Sequence, residues 1–250
     1  MDNNFLFKFK TDISSINISI KLNNPFSTSV PEIAKIAAKE FQEFITEEAK
    51  IWKYNFHKQR GKMFGILVVQ EQGGKYSFLG TASGKLPENT ICKKFIPSVF
   101  DDSIDDFFIN KGMIELTEIG NQIKTSNSPS EVITLKESRK QKSIGLQKRL
   151  FENYNFLNLS GEEKNLLAIF KDSSQGNPPA ASGECAAPKL LQYAIQHKLK
   201  PIALAEFWWG SAIENKGKMH GAYYPACKNR CRPILEYMLE DTELFSKTED

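Results

Sequence analysis

A chain of 250 residues that is 40% hydrophobic and 25% charged has the make-up of an ordinary globular protein with a sizeable core. Its formal net charge of +3 is only mildly basic, which permits an RNA or nucleotide partner but lacks the dense basic stripe of a general RNA binder. No apolar run nears the ~20 residues that span a bilayer, so no membrane segment is expected. The start MDNNFLFKFK lacks the layout of an export signal, so the expectation is a cytoplasmic protein whose four cysteines are thiols or thiolate ligands, not disulfides.

Residues 1–25 alternate polar and apolar through Phe5, Phe7, Phe9, Ile13, Ile16, Ile18 and Ile20, which predicts one or two strands. Pro31 and Glu32 open a helix that keeps helical spacing through Ile33, Ile36, Phe41, Phe44 and Ile45 to about Lys50. Met63–Gln70, Gly73-Gly74 and Tyr76–Ser83 read as a β-hairpin whose apolar first strand is buried on both faces. Residues 86–130 read as loops around a short amphipathic element. The acidic cluster Asp101, Asp102, Asp105 and Asp106 lies there among Val99, Phe100, Ile104, Phe107 and Phe108, the pattern of an exposed helix face more than of a metal site. Cys92, beside Lys93 and Lys94, is expected to be a structural thiol.

Residues 131–171 are charged and helix-prone. The basic side chains Lys140, Lys142, Lys148 and Arg149 offer contacts to RNA phosphates or, equally, the solvated face of a helical hairpin. Ser160-Gly161-Glu162-Glu163 resembles a capped helix start leading to Leu166, Ile169 and Phe170. A loop over 172–179 follows, and the tail ELFSKTED has a disordered composition. The expected organisation is a core part over 1–85, an insertion over 86–178, a second core part over 179–240 and a tail over 241–250.

The second core part carries the chemistry. Cys185 precedes an apolar-periodic helix through Leu190, Leu191, Ala194 and Ile195, and Pro188 fixes the helix start near Glu184–Ala187. A cysteine there feels the positive end of the helix dipole, which favours the thiolate. Lys200-Pro201 opens the buried strand IALAEFWW, and CKNRCRPILEYML begins a second helix. Cys227 and Cys231, four apart, share a helix face. Three thiolates, Cys185, Cys227 and Cys231, plus a water give a tetrahedral zinc (Zn2+) site; His220 as fourth ligand would close it into a structural one. Against this stands the common fate of cysteine as a small buried hydrophobe.

The order helix, hairpin, cysteine helix, strand, cysteine helix resembles the core of the zinc nucleoside and nucleic-acid deaminases, whose signature is His or Cys followed by Ala-Glu, then Pro-Cys-x-x-Cys on the next helix. The resemblance implies an α/β fold, a three-layer deaminase-like sheet with helices on both faces and a helical insertion between the hairpin and the first cysteine helix. It makes Cys185 the first ligand and Cys227 and Cys231 the second pair. Where the family has its glutamate this chain has Ala187, so Glu184 beside the first ligand, or Glu206 on the strand, would have to shuttle protons. The second motif also has one extra residue, and Pro225 stands two before Cys227. A broader resemblance, in SGECAAPKLLQYA, KPIALAEFWWG, YPACKNRCRPILEYML, KMFGILVVQ and FIPSVFD, is to the N-terminal extension of a subgroup of RluA-type RNA pseudouridine synthases. The synthase's His-Arg-Leu-Asp motif is missing, so uridine isomerisation is not expected, while a pseudouridine synthase domain is an expected partner in fused relatives.

Three functions follow. The first is zinc-dependent hydrolytic deamination of a base in RNA or a nucleotide; the second is a non-catalytic RNA-binding or scaffolding module serving a pseudouridine synthase. The third, a cysteine hydrolase pairing Cys185 with His220 or His197, lacks an orienting acid. Lys189, Trp208, Trp209 and Tyr224 are candidate substrate contacts; Lys189 and Arg232 suit phosphate, the tryptophans suit base stacking, and Tyr223, Tyr224 and His220 suit a pocket wall. Because neighbours on a strand face opposite ways, at least one tryptophan belongs to the core.

Overall fold

Residues 5–86, 90, 92–100, 102–212 and 217–240 are described in the computed structural model, with the backbone alone for residues 102–107. In chain order the elements are α1 (Glu32–Ile51), β1 (Lys62–Gln70), β2 (Tyr76–Ala82), α2 (Asp102–Thr125), α3 (Pro129–Phe151), β3 (Asn155–Leu157), β4 (Glu163–Asn165), α4 (Leu166–Lys171), α5 (Ala186–Gln196), β5 (Lys200–Trp209), β6 (Tyr223–Tyr224) and α6 (Arg232–Met238). Four strands form a sheet in the order β2-β1-β5-β6, antiparallel at every pairing. The fold is mixed α/β.

Alternation along β1 and β5 sends side chains into two cores. On one face Phe64, Ile66, Val68, Ala205 and Phe207 meet Ala34, Ala37, Phe41 and Ile45 of α1. On the other, Leu67, Val69, Leu79 and Leu204 meet Leu190, Leu191 and Ala194 of α5, with Ile234, Leu235 and Met238 of α6. Helix cover on both faces explains why β1 is apolar throughout although its partners run antiparallel. Sheet-edge polar groups need partners as well. Asn23 supplies them for β5, its amide accepting from the Leu204 N–H at 2.7 Å and donating to the Leu204 carbonyl at 3.1 Å.

Several expectations need correction. Among the described N-terminal residues there is no strand; Phe7 and Leu22 are isolated bridge residues, and the Phe7 and Phe78 N–H groups each donate to the other's carbonyl, at 2.8 and 2.9 Å. The alternating apolar residues instead plug an irregular segment onto the sheet rim, and the Lys10 and Thr11 N–H groups donate to the Glu40 carboxylate rather than to a neighbouring strand. The short element expected within 86–130 is the 24-residue α2. It packs along α3, not on the sheet: a Cβ at Gly112 would lie 2.8 Å from Leu146, Arg139 donates to the Leu116 carbonyl, and Lys142 pairs with Glu115 at 2.8 Å. Met113 and Ile114 of α2 are exposed while Leu116 is buried, so its apolar residues do not mark a single face. Of the acidic cluster, Asp101 and the side chains of Asp102, Asp105 and Asp106 lie outside the described residues, as does the tail 241–250.

The helical hairpin expected around residue 140 is present, with Ser128 accepting the Glu131 N–H at the start of α3 and only Phe151 buried along it. The helix start expected at residues 160–163 is instead the turn of the β3–β4 hairpin. Asn158 accepts the Glu162 N–H there and Gly161 adopts a positive φ; α4 begins later, capped by Asn165 accepting from Leu167. No described helix is long and apolar enough to cross a membrane.

Candidate metal centre

Three segments converge where α5 and α6 begin. Gly183 holds a φ of 91°, and a Cβ there would lie 2.7 Å from the Tyr154 ring, so glycine alone lets the chain turn tightly into α5. Cys185 is then the N-cap residue. Two bonds fix this turn to the end of the hairpin: the Ala186 N–H donates to Ser83 Oγ at 3.0 Å, and the Gly84 N–H donates to the Glu184 carbonyl at 2.6 Å. Gly65 of β1 lies beneath; a Cβ on it would come within 2.7 Å of the Ala186 Cβ. That close approach brings the start of α5 down onto the sheet. On the far side Cys231 caps α6 and Cys227 precedes it by one turn, its carbonyl accepting the Arg232 N–H.

The result is a cluster. The sulfurs of Cys185, Cys227 and Cys231 all lie within 4.8 Å of one another, with Cys227 and Cys231 3.2 Å apart. Cys227 is the exposed member, Cys185 is half-buried and Cys231 is buried. Hydrogen bonds from the other two thiols hold Cys227 far below the ordinary thiol value, helped by the Arg230 and Cys231 N–H groups. Cys185 and Cys231 are correspondingly pushed up by sharing that charge and by burial.

Four ligands at zinc–sulfur bonds of ~2.3 Å place tetrahedral sulfurs about 3.8 Å apart, between the shortest separation here and the outer bound. The three cysteines are thus close enough to hold a metal ion with sub-ångström adjustment. They leave one position of a four-coordinate ion for a water or substrate.

Glu206 lies on the same face of β5 as Leu204 and is buried beside the thiols. Desolvation first, then the Cys227 charge, raises its carboxyl to about 7, opposed by the Ala187 N–H that it accepts and by the Lys218 charge. Lys218 carried no sequence signal. It is lowered by burial and held up by Glu206 and Cys227, with its ammonium 3.8 Å over the Tyr224 ring.

The other candidates fall elsewhere. Both carboxylate oxygens of Glu184 accept hydroxyl hydrogen bonds, one from Ser98 at 3.0 Å and one from Tyr154, which fixes the loop before α5. Lys189 is buried and donates to the Ala82 carbonyl at 2.7 Å, tying α5 to β2. Tyr224 shapes the loop carrying Lys218, its hydroxyl accepting from Met219 and donating to Gly217. Trp208 is buried and donates to the Ser211 carbonyl. Trp209 faces the other way, against the His220 ring. The structure does not bring His220 into the thiol cluster; its Nδ1 accepts the Gly210 N–H, and its ring lies against His57. His197 stacks on Tyr193. The chain matches no protein-family model, no curated protein and no solved structure.

Proposed function

We propose that the protein is a zinc-dependent hydrolase of the deaminase type, acting on an amino-bearing base in RNA or a nucleotide. One observation carries this reading: a buried carboxyl, Glu206, poised near neutrality beside three clustered thiols. Cys185, Cys227 and Cys231 would hold zinc, which when bound supplies Lewis acidity and a nucleophilic water. Hydrolysis adds the water oxygen to the ring carbon bearing the amino group, breaks the carbon–nitrogen bond and releases ammonia. Glu206 would take the proton from the water oxygen and deliver it to the departing nitrogen, a task suited to a group whose pKa lies near the working pH. Lys218 and the Ala187 N–H would stabilise the charged form that Glu206 has before the first transfer and regains after the second. The order α1, β1–β2, α5, β5, α6, with thiols at both later helix starts, supports the deaminase resemblance, as does helix cover on both sheet faces.

A second reading is a non-catalytic RNA-binding or scaffolding module allied to a pseudouridine synthase, with structural zinc or none. The alanine at position 187, where the deaminases carry their glutamate, favours it. Ammonia release decides between them. Zinc-loaded protein should deaminate at least one of cytidine, adenosine, their monophosphates or single-stranded RNA, and Glu206→Gln should lose that activity while keeping its zinc. A zinc-replete protein inert on all of these sinks the enzymatic reading.

A further inference from the structure

A second feature adjoins the thiol cluster. Between the hairpin exit and the Cys227–Cys231 turn lies a cleft of about 440 Å³, whose wall includes Arg60, Lys62, Lys85, Arg230, Tyr54 and Trp208. Four cations line it, and none of the described residues lining it is acidic. Some described cations elsewhere meet carboxylates, as in Lys142–Glu115, Lys140–Glu137 and Arg232–Glu236. Like charges gathered in a partly buried cleft repel one another and are stabilised by an anion.

The backbone at Arg60 and the Lys62 ammonium are held in place. The Tyr54 hydroxyl accepts the Arg60 N–H and donates to the Arg60 carbonyl. Lys62 donates to the Lys85 carbonyl, and burial together with the Arg60 charge lowers its ammonium below the ordinary lysine value. Trp208 closes one side, its ring packed so near Gly61 that a Cβ there would come within 2.6 Å.

Three links, one a hydrogen bond and two along the chain, join the cleft to the cluster. Ser83 lines it and accepts the N–H of Ala186, the residue after Cys185. Arg230 immediately precedes Cys231, and its N–H bonds the Cys227 sulfur. Trp208 stands two residues from Glu206 on β5, about 7 Å along the strand. A phosphate in the cleft thus sits a nucleotide's reach from the thiols.

We infer that this cleft binds the phosphate groups of a nucleotide-bearing ligand, either a free nucleotide or an RNA strand, and presents its base end toward Cys185, Cys227 and Cys231. The inference deepens the proposed function and rests on it for the fate of the base alone; phosphate binding stands apart.

The test measures binding of a short fluorescent single-stranded oligoribonucleotide and of cytidine and adenosine 5′-monophosphates, with the unphosphorylated nucleosides as controls. Arg60→Glu and Arg230→Glu should each weaken binding of the phosphorylated probes about tenfold or more and lower the salt dependence by about one unit of slope per cation removed. Lys142→Glu on α3 should change it less than about twofold. Melting temperatures matched to the wild type confirm that the variants are folded. Tight oligoribonucleotide binding with weak monophosphate binding assigns an RNA strand; comparable affinity assigns free nucleotide. Equal binding by wild type and both cleft variants, loss only in the α3 variant, or no preference for phosphorylated over unphosphorylated probes overturns the inference. Zinc-free protein should keep its preference for phosphorylated over unphosphorylated probes, so a failed deaminase reading and a failed cleft produce different results.

Discussion

The carboxyl of Glu206 accepts the backbone N–H of Ala187, the residue at which the deaminase resemblance calls for a glutamate side chain. A carboxylate from β5 is thereby tethered to the first turn of α5, two residues from Cys185. The group that the helix sequence lacks is supplied across the sheet-to-helix interface, which is how a chain with alanine at 187 can still set an acid beside its thiols.

Replacing that carboxyl should separate chemistry from metal binding. Glu206→Gln keeps the shape and an oxygen that accepts the Ala187 N–H, but it cannot relay a proton. Loss of a general acid–base of this kind costs roughly 10²–10⁴ in rate. Ammonia release should fall by that order while zinc content, measured by elemental analysis, stays at the wild-type level. Unchanged activity would assign proton transfer to another group.

The same carboxyl makes metal-free stability depend on pH. Its ordinary value of 4.5 rises to about 7 in the folded chain, so between these limits the folded state binds more protons than the unfolded state. Stability then falls as pH rises from about 4.5 toward 7. Glu206→Gln removes this dependence, and the difference between the two proteins' denaturation free energies should shift in the variant's favour across that window. Parallel curves for wild type and variant would mean that the burial of Glu206 costs nothing on ionisation.

Much of this arrangement is written locally. α1, the hairpin, α5 and β5 each bury a stripe or face with its own period, so their spacing in the sequence reveals them, and the three thiols follow from two helix starts. α2 escapes notice because exposed Met113 and Ile114 blur its apolar face, and Phe7 mimics a strand because it plugs a sheet rim. Glu206 stands out only as an acid in an apolar strand; its meeting with Ala187 is a tertiary fact. Lys218 comes from a loop with no spacing at all. The cleft cations are scattered at 60, 62, 85 and 230, whereas the conspicuous basic run on α3 includes Lys142 and Lys140, already facing Glu115 and Glu137.

Gly65 links packing to the site. A methyl group there would press within 2.7 Å of the Ala186 Cβ and 3.3 Å of Leu190, contacts that only a shift of α5 relieves. Gly65→Ala should cost about 1–3 kcal/mol and weaken zinc binding as well, because the shift carries Cys185 from its partners. Phe41→Ala, in the opposite core, should cost about 3–5 kcal/mol with zinc affinity little changed. Denaturant titration paired with chelator competition reads both quantities. Equal zinc affinity in wild type and Gly65→Ala would show that the α5 contact does not position Cys185.

Metal removal tests the cluster itself. If zinc binds the folded thiols and not the unfolded chain, it raises stability by mass action, by about 2.7 kcal/mol at a hundredfold excess over its dissociation constant. A chelator should lower the melting temperature and expose the thiols to a colorimetric reagent. Single Cys185→Ser, Cys227→Ser and Cys231→Ser variants should each lose zinc affinity by orders of magnitude and lose most of the chelator effect. Cys92→Ser should not, since burial pushes that thiol up to about 11 and it is not a member of the cluster. His220→Ala should also keep zinc, because its Nδ1 is committed to Gly210. A variant of any one cluster cysteine that retains full zinc affinity removes that residue from the ligand set, and zinc loss in His220→Ala would restore the closed, structural site.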